Sequence, residues 1–171
     1  MALFKGGSKE AAPQPEGEAA AECLKVGQTL LEAGHIDAEN MAAALAQANG
    51  DLLQFADLLI GRFAAGRTEV AIAISQATGV PAVDTKGIVI PENLKGVLDE
   101  QTVRRNCAVA VAEEGNTLVV LCSDPSPKRR AEMEAIAGRP VKFFISDPPT
   151  VRTFIDLVYR ADADISRLVA S

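Results

Sequence analysis

Residues 25–48 carry a pattern that returns farther along the chain. Moving that stretch forward by 29 positions lays Val26 on Phe55, Gly27 on Ala56, Leu30 on Leu59 and Leu31 on Ile60. It also lays Met41 on Val70, Ala44 on Ala73, Leu45 on Ile74, Gln47 on Gln76 and Ala48 on Ala77. Apolar matches at helical spacing arise easily by chance; the Gln-Ala pair after each second helix is harder to dismiss. In the first copy Leu24, Val26, Leu30 and Leu31 form one helix face. Gly34 is placed to end that helix in a left-handed conformation, Asp37 to cap the next, and Asn49-Gly50 to stop it. Leu52 to Phe63 read as a third helix, ended near Gly66. Thr68 reads as the cap of a fourth helix carrying Val70, Ile72, Ala73 and Ile74, closed by Gly79 and Pro81. Helix-turn-helix units this short cannot bury their apolar faces alone, so the repeat predicts that the two pack together.

From Pro81 the periodicity changes. Ala82-Val83 and Ile88–Ile90 look like strands. Pro91 suits the first turn of a helix running through Leu94, Val97, Leu98 and Val103. Cys107–Ala112 and Thr117–Ser123 alternate as strands around the turn Glu113-Glu114-Gly115-Asn116. Asp124-Pro125-Ser126-Pro127 opens a helix that Gly138 ends. Val141–Ile145 is a further strand, and Asp147-Pro148 starts a last helix through Phe154, Leu157 and Val158. The expected fold is α+β: a four-helix subdomain of two helix-turn-helix repeats, packed on a small α/β sandwich with a three- or four-stranded sheet. The expected divisions are a disordered tail over 1–20, the tandem hairpins over 21–79, the α/β part over 80–160 and a linker over 161–171. The tail is inferred from its Gly, Pro, Ala, Gln and Glu content. The linker is inferred from Asp162, Asp164 and the segment 165–170.

Composition narrows the function. Hydrophobic residues are 48% of 171, enough for a packed core, but aromatics are only 4%, so Ala, Val, Ile and Leu must build it. A net charge of −6 and the absence of a basic stripe argue against nucleic acid as a partner. No apolar run approaches the ~18 residues needed to span a bilayer. Residues 1–18 lack the apolar segment of a secretion signal. Cys23, Cys107 and Cys122 are odd in number and widely spaced, which predicts reduced thiols in a cytoplasmic setting. With His35 the single histidine, neither a zinc site nor any other metal centre is expected.

Three runs invite a chemical reading. Gly61-Arg62-Phe63-Ala64-Ala65-Gly66-Arg67-Thr68 nearly spells a phosphate-binding loop. That loop needs Lys where Arg67 stands and a strand ahead of it, whereas Leu52–Ile60 read as helix. His35 has Asp37 nearby but no nucleophile, and reads as a solvent-facing turn residue. Lys128-Arg129-Arg130 reads as a solvated face, with a docking patch for an acidic partner as the minority reading. With no paired carboxylates in an evident cleft, no metal cluster and no nucleophile elbow, the sequence argues against an enzyme and offers no catalytic residues.

Several short motifs follow one another in a telling order: Lys25-Val26-Gly27, Gly79-Val80-Pro81-Ala82-Val83-Asp84, Gly115-Asn116-Thr117-Leu118-Val119-Val120, Ser123-Asp124-Pro125 and Gly138-Arg139-Pro140-Val141. Together they resemble the MshEN-type N-terminal domain of the bacterial ATPases that drive type II secretion and type IV pilus assembly. The resemblance covers residues 22–160. It implies a non-catalytic docking and regulatory module that links the motor ATPase to an inner-membrane platform protein. Such a module works without a resident cofactor, in the cytoplasm at the inner face of the membrane, and meets that membrane only through its partners. One branch of the family binds cyclic di-GMP. That implies an alternative function as a receptor for this dinucleotide, through Lys25, Val26, Gly27, Leu30, Leu31, Gly34, Ile36, Met41, Leu45, Gln54, Leu59 and Ile60. The sequence departs from the family pattern here. Lys25 stands where Arg is usual, keeping the charge but losing the planar fork. Gln54-Phe55-Ala56 lacks both the Arg and the Gly of the second motif. The usual terminal Gln positions are held by Ala48 and Ala77.

Overall fold

The computed structural model describes the backbone of residues 15–170 and the side chains of residues 20–159. Four helices come first: α1 (Pro15–Glu32), α2 (Ala38–Ala48), α3 (Leu52–Gly61) and α4 (Arg67–Thr78). A 3-10 turn (Glu92–Leu94), α5 (Glu100–Asn106), β1 (Ala108–Glu114), β2 (Thr117–Cys122), α6 (Pro127–Ala137), β3 (Val141–Ile145) and α7 (Pro148–Ala170) follow. The architecture is α+β, with seven α-helices and a three-stranded mixed sheet among the described residues.

The helical half is punctuated much as its residue types require. Asp37 accepts the N–H of Asn40 at 2.7 Å and so caps α2, which ends at Asn49 in the left-handed region (φ 52°). Asp51 accepts from the N–H groups of Leu53 and Gln54 at the start of α3. Thr68, expected as a cap, lies inside α4 instead. Gly66 holds the cap position without a side-chain bond, because the chain re-enters helix one residue earlier, at Arg67. Val26, Leu30, Phe55, Leu59, Val70 and Ile74 are all buried to 1% exposure or less, so the two hairpins share one core.

In the second half β1 and β2 pair antiparallel, from Ala108 opposite Cys122 to Glu114 opposite Thr117, with a bulge at Val111. β3 then lies parallel to β2, with Leu118 opposite Val141 and Cys122 opposite Ile145. As the middle strand, β2 is apolar on both faces, and Leu118 to Cys122 are all buried. β3 alternates: Val141, Phe143 and Ile145 point inward while Lys142 is exposed. A possible fourth strand shrinks to one bridge, Ala82 to Ile145. The outer edge of β3 is closed at both ends. The Val141 N–H donates to Glu134 at 2.9 Å, and its carbonyl accepts from Arg130. The Ile145 N–H donates to the Pro81 carbonyl at 2.8 Å. These closures block strand addition along that edge.

Other elements depart from expectation. Ile88–Ile90 pairs with no strand. The helix expected over Pro91–Val103 is two pieces, because Asp99 starts a new helix by accepting the N–H and hydroxyl of Thr102. Of the expected tail, residues 1–14 lie outside the described residues, while residues 15–20 belong to α1. Pro15 suits a first helical turn and the alanines that follow favour helix. Residues 161–170, expected as a linker, continue α7, and no Gly or Pro between Thr150 and Ala170 interrupts it. Residue 171 lies outside the described residues. The two halves meet where α3 rests on α7 and α4 on β3.

Candidate functional site

The twelve residues nominated for a ligand fall into two groups. Val26, Leu30 and Leu59 lie at 0–1% exposure, and Ile36 and Met41 at 8%; their side chains build the hairpin core. Lys25, Gly34 and Gln54 are exposed, and Leu31, Leu45 and Ile60 are half-buried against that core. The surface offered by the motif residues is therefore one cation, one amide and the edges of three aliphatic side chains.

Gly27 has a packing reason to be glycine. A Cβ placed there would lie 3.0 Å from Met41 Cε and 3.1 Å from its Cγ, so the missing side chain lets Met41 of α2 settle onto α1. By the repeat, the equivalent pair is Ala56 and Val70, both fully buried. The second hairpin thus adds a methyl on one helix and shortens the side chain on the other. Volume is roughly conserved, and cores tolerate that trade best. Gly34 is exposed at φ +81°, where it turns α1 towards α2. Gln47 accepts a 2.9 Å bond from Arg62 and ties the end of α2 to the end of α3.

The phosphate-loop look-alike is a helix end, a short loop and a helix start. Gly61 closes α3, Ala64 takes a left-handed conformation (φ 59°), Ala65 is buried and Arg67 opens α4. The strand that a phosphate loop follows is not there. His35 is exposed in its turn.

The basic run is not simply a solvated face. Arg129 donates to Asp124 at 2.9 Å, to Asn106 Oδ1 at 3.1 Å and to the Arg105 carbonyl at 3.2 Å. Arg130 bonds the Val141 carbonyl and lies 4.7 Å over the Phe143 ring. Only Lys128 faces water. The signal for this was Asp124, five residues ahead of Arg129 at the helix start.

The thiols are inert by environment. Burial, with Asp124 and Asp51 nearby, pushes Cys23 up to about 12. Burial lifts Cys107 to about 11 and holds Cys122 well above its ordinary range. Among the described residues no group of three or more His, Cys, Asp and Glu is placed to hold a metal. Nor is any helix among them long and apolar enough to cross a membrane. An apolar groove of about 300 Å³ lies between Ile88–Ile90 and Phe154, Leu157 and Val158 of α7.

Comparison with known proteins gives a consistent picture. A family profile described as the MshEN domain matches residues 78–165, the α/β half. A solved structure of MshE with cdg is 21% identical and superposes at a TM-score of 0.59, covering 78% of this chain and 98% of that one. The N-terminal domain of XpsE is 17% identical at a TM-score of 0.63, covering 80% of this chain and 94% of that one. No curated protein matches the chain. At such identities the structural likeness concerns the fold.

Proposed function

The chain belongs to the MshEN domain family, and from that premise we propose that it is a non-catalytic docking and regulatory module of a type II secretion or type IV pilus motor. In this reading it joins the ATPase to the inner-membrane platform protein, at the cytoplasmic face of the membrane and without a cofactor. The observation that carries the reading is a fold shared with the XpsE N-terminal domain over 80% of the chain. The well-packed look-alike of a phosphate loop supports it, since Gly61–Thr68 belongs to hairpin architecture. The proposed division of labour gives partner contact to the two folded parts, 21–79 and 80–160, and the path towards the motor to residues 161–171. Affinity capture from solubilised membranes, with the bound proteins identified by mass spectrometry, tests it. Enrichment of a platform or ATPase component supports docking; a profile no different from an unrelated bait argues against it.

The likeness to MshE with cdg supports a second reading, a receptor for cyclic di-GMP. Lys25 and Gln54 are the exposed polar groups of the two motifs. A lone ammonium recognises guanine or phosphate with less geometric selectivity than an arginine fork. Isothermal calorimetry with the dinucleotide decides it. Heat that disappears in Lys25→Glu, a change at an exposed position, supports the receptor, and no heat at high micromolar concentration removes it.

A further inference from the structure

Helix α3 and the residue that caps it supply two carboxylates that face arginines of the other half. Asp57 takes a two-pronged bond from Arg152 of α7, Nη1 to Oδ1 and Nη2 to Oδ2, both at 2.7 Å. Six residues earlier, Asp51 Oδ1 stands 3.8 Å from Arg129 Nη2 of α6. Arg129 is itself fixed by Asp124, Asn106 and the Arg105 carbonyl, so it presents its remaining nitrogen from a rigid base. Between the halves the chain passes through Gly79, in the left-handed region at φ +76°, and Val80. The Arg152 and Asp57 side chains keep 46% and 35% of their surface exposed, so dissolved ions reach the contact.

We propose that α3 is a polar latch. Its two aspartate–arginine pairs add to the shared apolar core in holding the helical half in one orientation on the α/β half, and losing them raises the share of molecules in which that half has turned about Gly79–Val80. The two-pronged geometry gives the contact direction as well as attraction. Exposed pairs are individually weak, so each shifts the ratio of turned to seated molecules roughly threefold and the two together about tenfold. The device is therefore a bias that salt or a competing charged partner can relieve.

The test measures distance between the halves in the whole chain. Spin labels on Ala46→Cys in α2 and Ala135→Cys in α6 sit on exposed positions, and the native cysteines are buried, so labelling is selective. The disrupting variant is Asp51→Asn with Asp57→Asn, because Asn caps a helix as well as Asp does and the start of α3 survives. The parent should give one narrow distance distribution at low salt. The disrupted variant should show a second population, with the ratio raised about tenfold. Exchanging the charges of one pair, Asp57→Arg with Arg152→Asp, should keep the distribution narrow. Should the asparagine variant fail to fold, the parent at ~1 M NaCl carries the test, since screening acts on the same pairs. An unchanged narrow distribution in the variant, or in the parent at high salt, overturns the latch. So does a charge exchange that broadens it.

Discussion

Gly27 of α1 leaves room for Met41 of α2 in the first hairpin, and their repeat partners Ala56 and Val70 reach a similar volume by another division. The compensation is testable as a cycle. Gly27→Ala alone gains helix propensity but presses on Met41, and Met41→Val alone leaves a gap of about 1 kcal/mol. The double variant recreates the second hairpin's pair and should be more stable than the sum of the singles by about 0.5 to 1 kcal/mol. Urea unfolding of the four proteins measures this, and additivity within about 0.3 kcal/mol contradicts it. The buried thiols make a second residue-scale prediction. Cys23 is lifted from 9.0 to about 12, so its neutral form is favoured by folding. That contribution is complete below the unfolded value near 9 and is lost as pH rises through 12. Stability should therefore decline across that range, and less steeply in Cys23→Ala. Parallel curves for parent and variant would refute the assignment.

Helix ends decide the elements. Asp37 caps α2 through Asn40, so Asp37→Ala should cost about 1 kcal/mol while Asp37→Ser keeps most of the stability. Thermal melts of the two variants separate a cap from a mere surface charge, since equal losses would contradict capping. The same chemistry explains what the sequence disclosed. Gly34, Asp37, Asn49 and Gly138 could be read as boundaries because each does its work within its own turn. The helix expected over 91–103 is two pieces: Leu94, Val97, Leu98 and Val103 keep helical spacing across a break that only Asp99 and its bonds to Thr102 reveal. Ile88–Ile90 has the composition of a strand, but strands need partners and none comes alongside. Arg129 looked solvated because its partners Asn106 and Arg105 are more than 20 residues away in sequence.

At the scale of the molecule, the buried apolar side chains of both halves form one core, and two aspartate–arginine pairs on α3 orient the halves. The repeat disclosed the hairpins, and the ordered motifs around Gly115, Asp124 and Gly138 disclosed the family. The family profile matches 78–165 and stops short of the hairpins, where Lys25 and Ala56 depart from the motif. The residues expected to meet a ligand were the least legible part. Side chains such as Val26, Leu30 and Leu59 fit a motif and a core equally well in sequence, and only packing assigns them to the core. Docking to a motor or platform is the claim on which the functional account depends. Its most direct test is a titration of the purified cytoplasmic region of the platform protein, and separately of the motor ATPase, into the purified chain, followed by surface plasmon resonance. Saturable binding to at least one of them, at about micromolar strength as suits a transient contact, is the expected result. No binding to either at ~100 μM, with the chain shown to be folded, would contradict it.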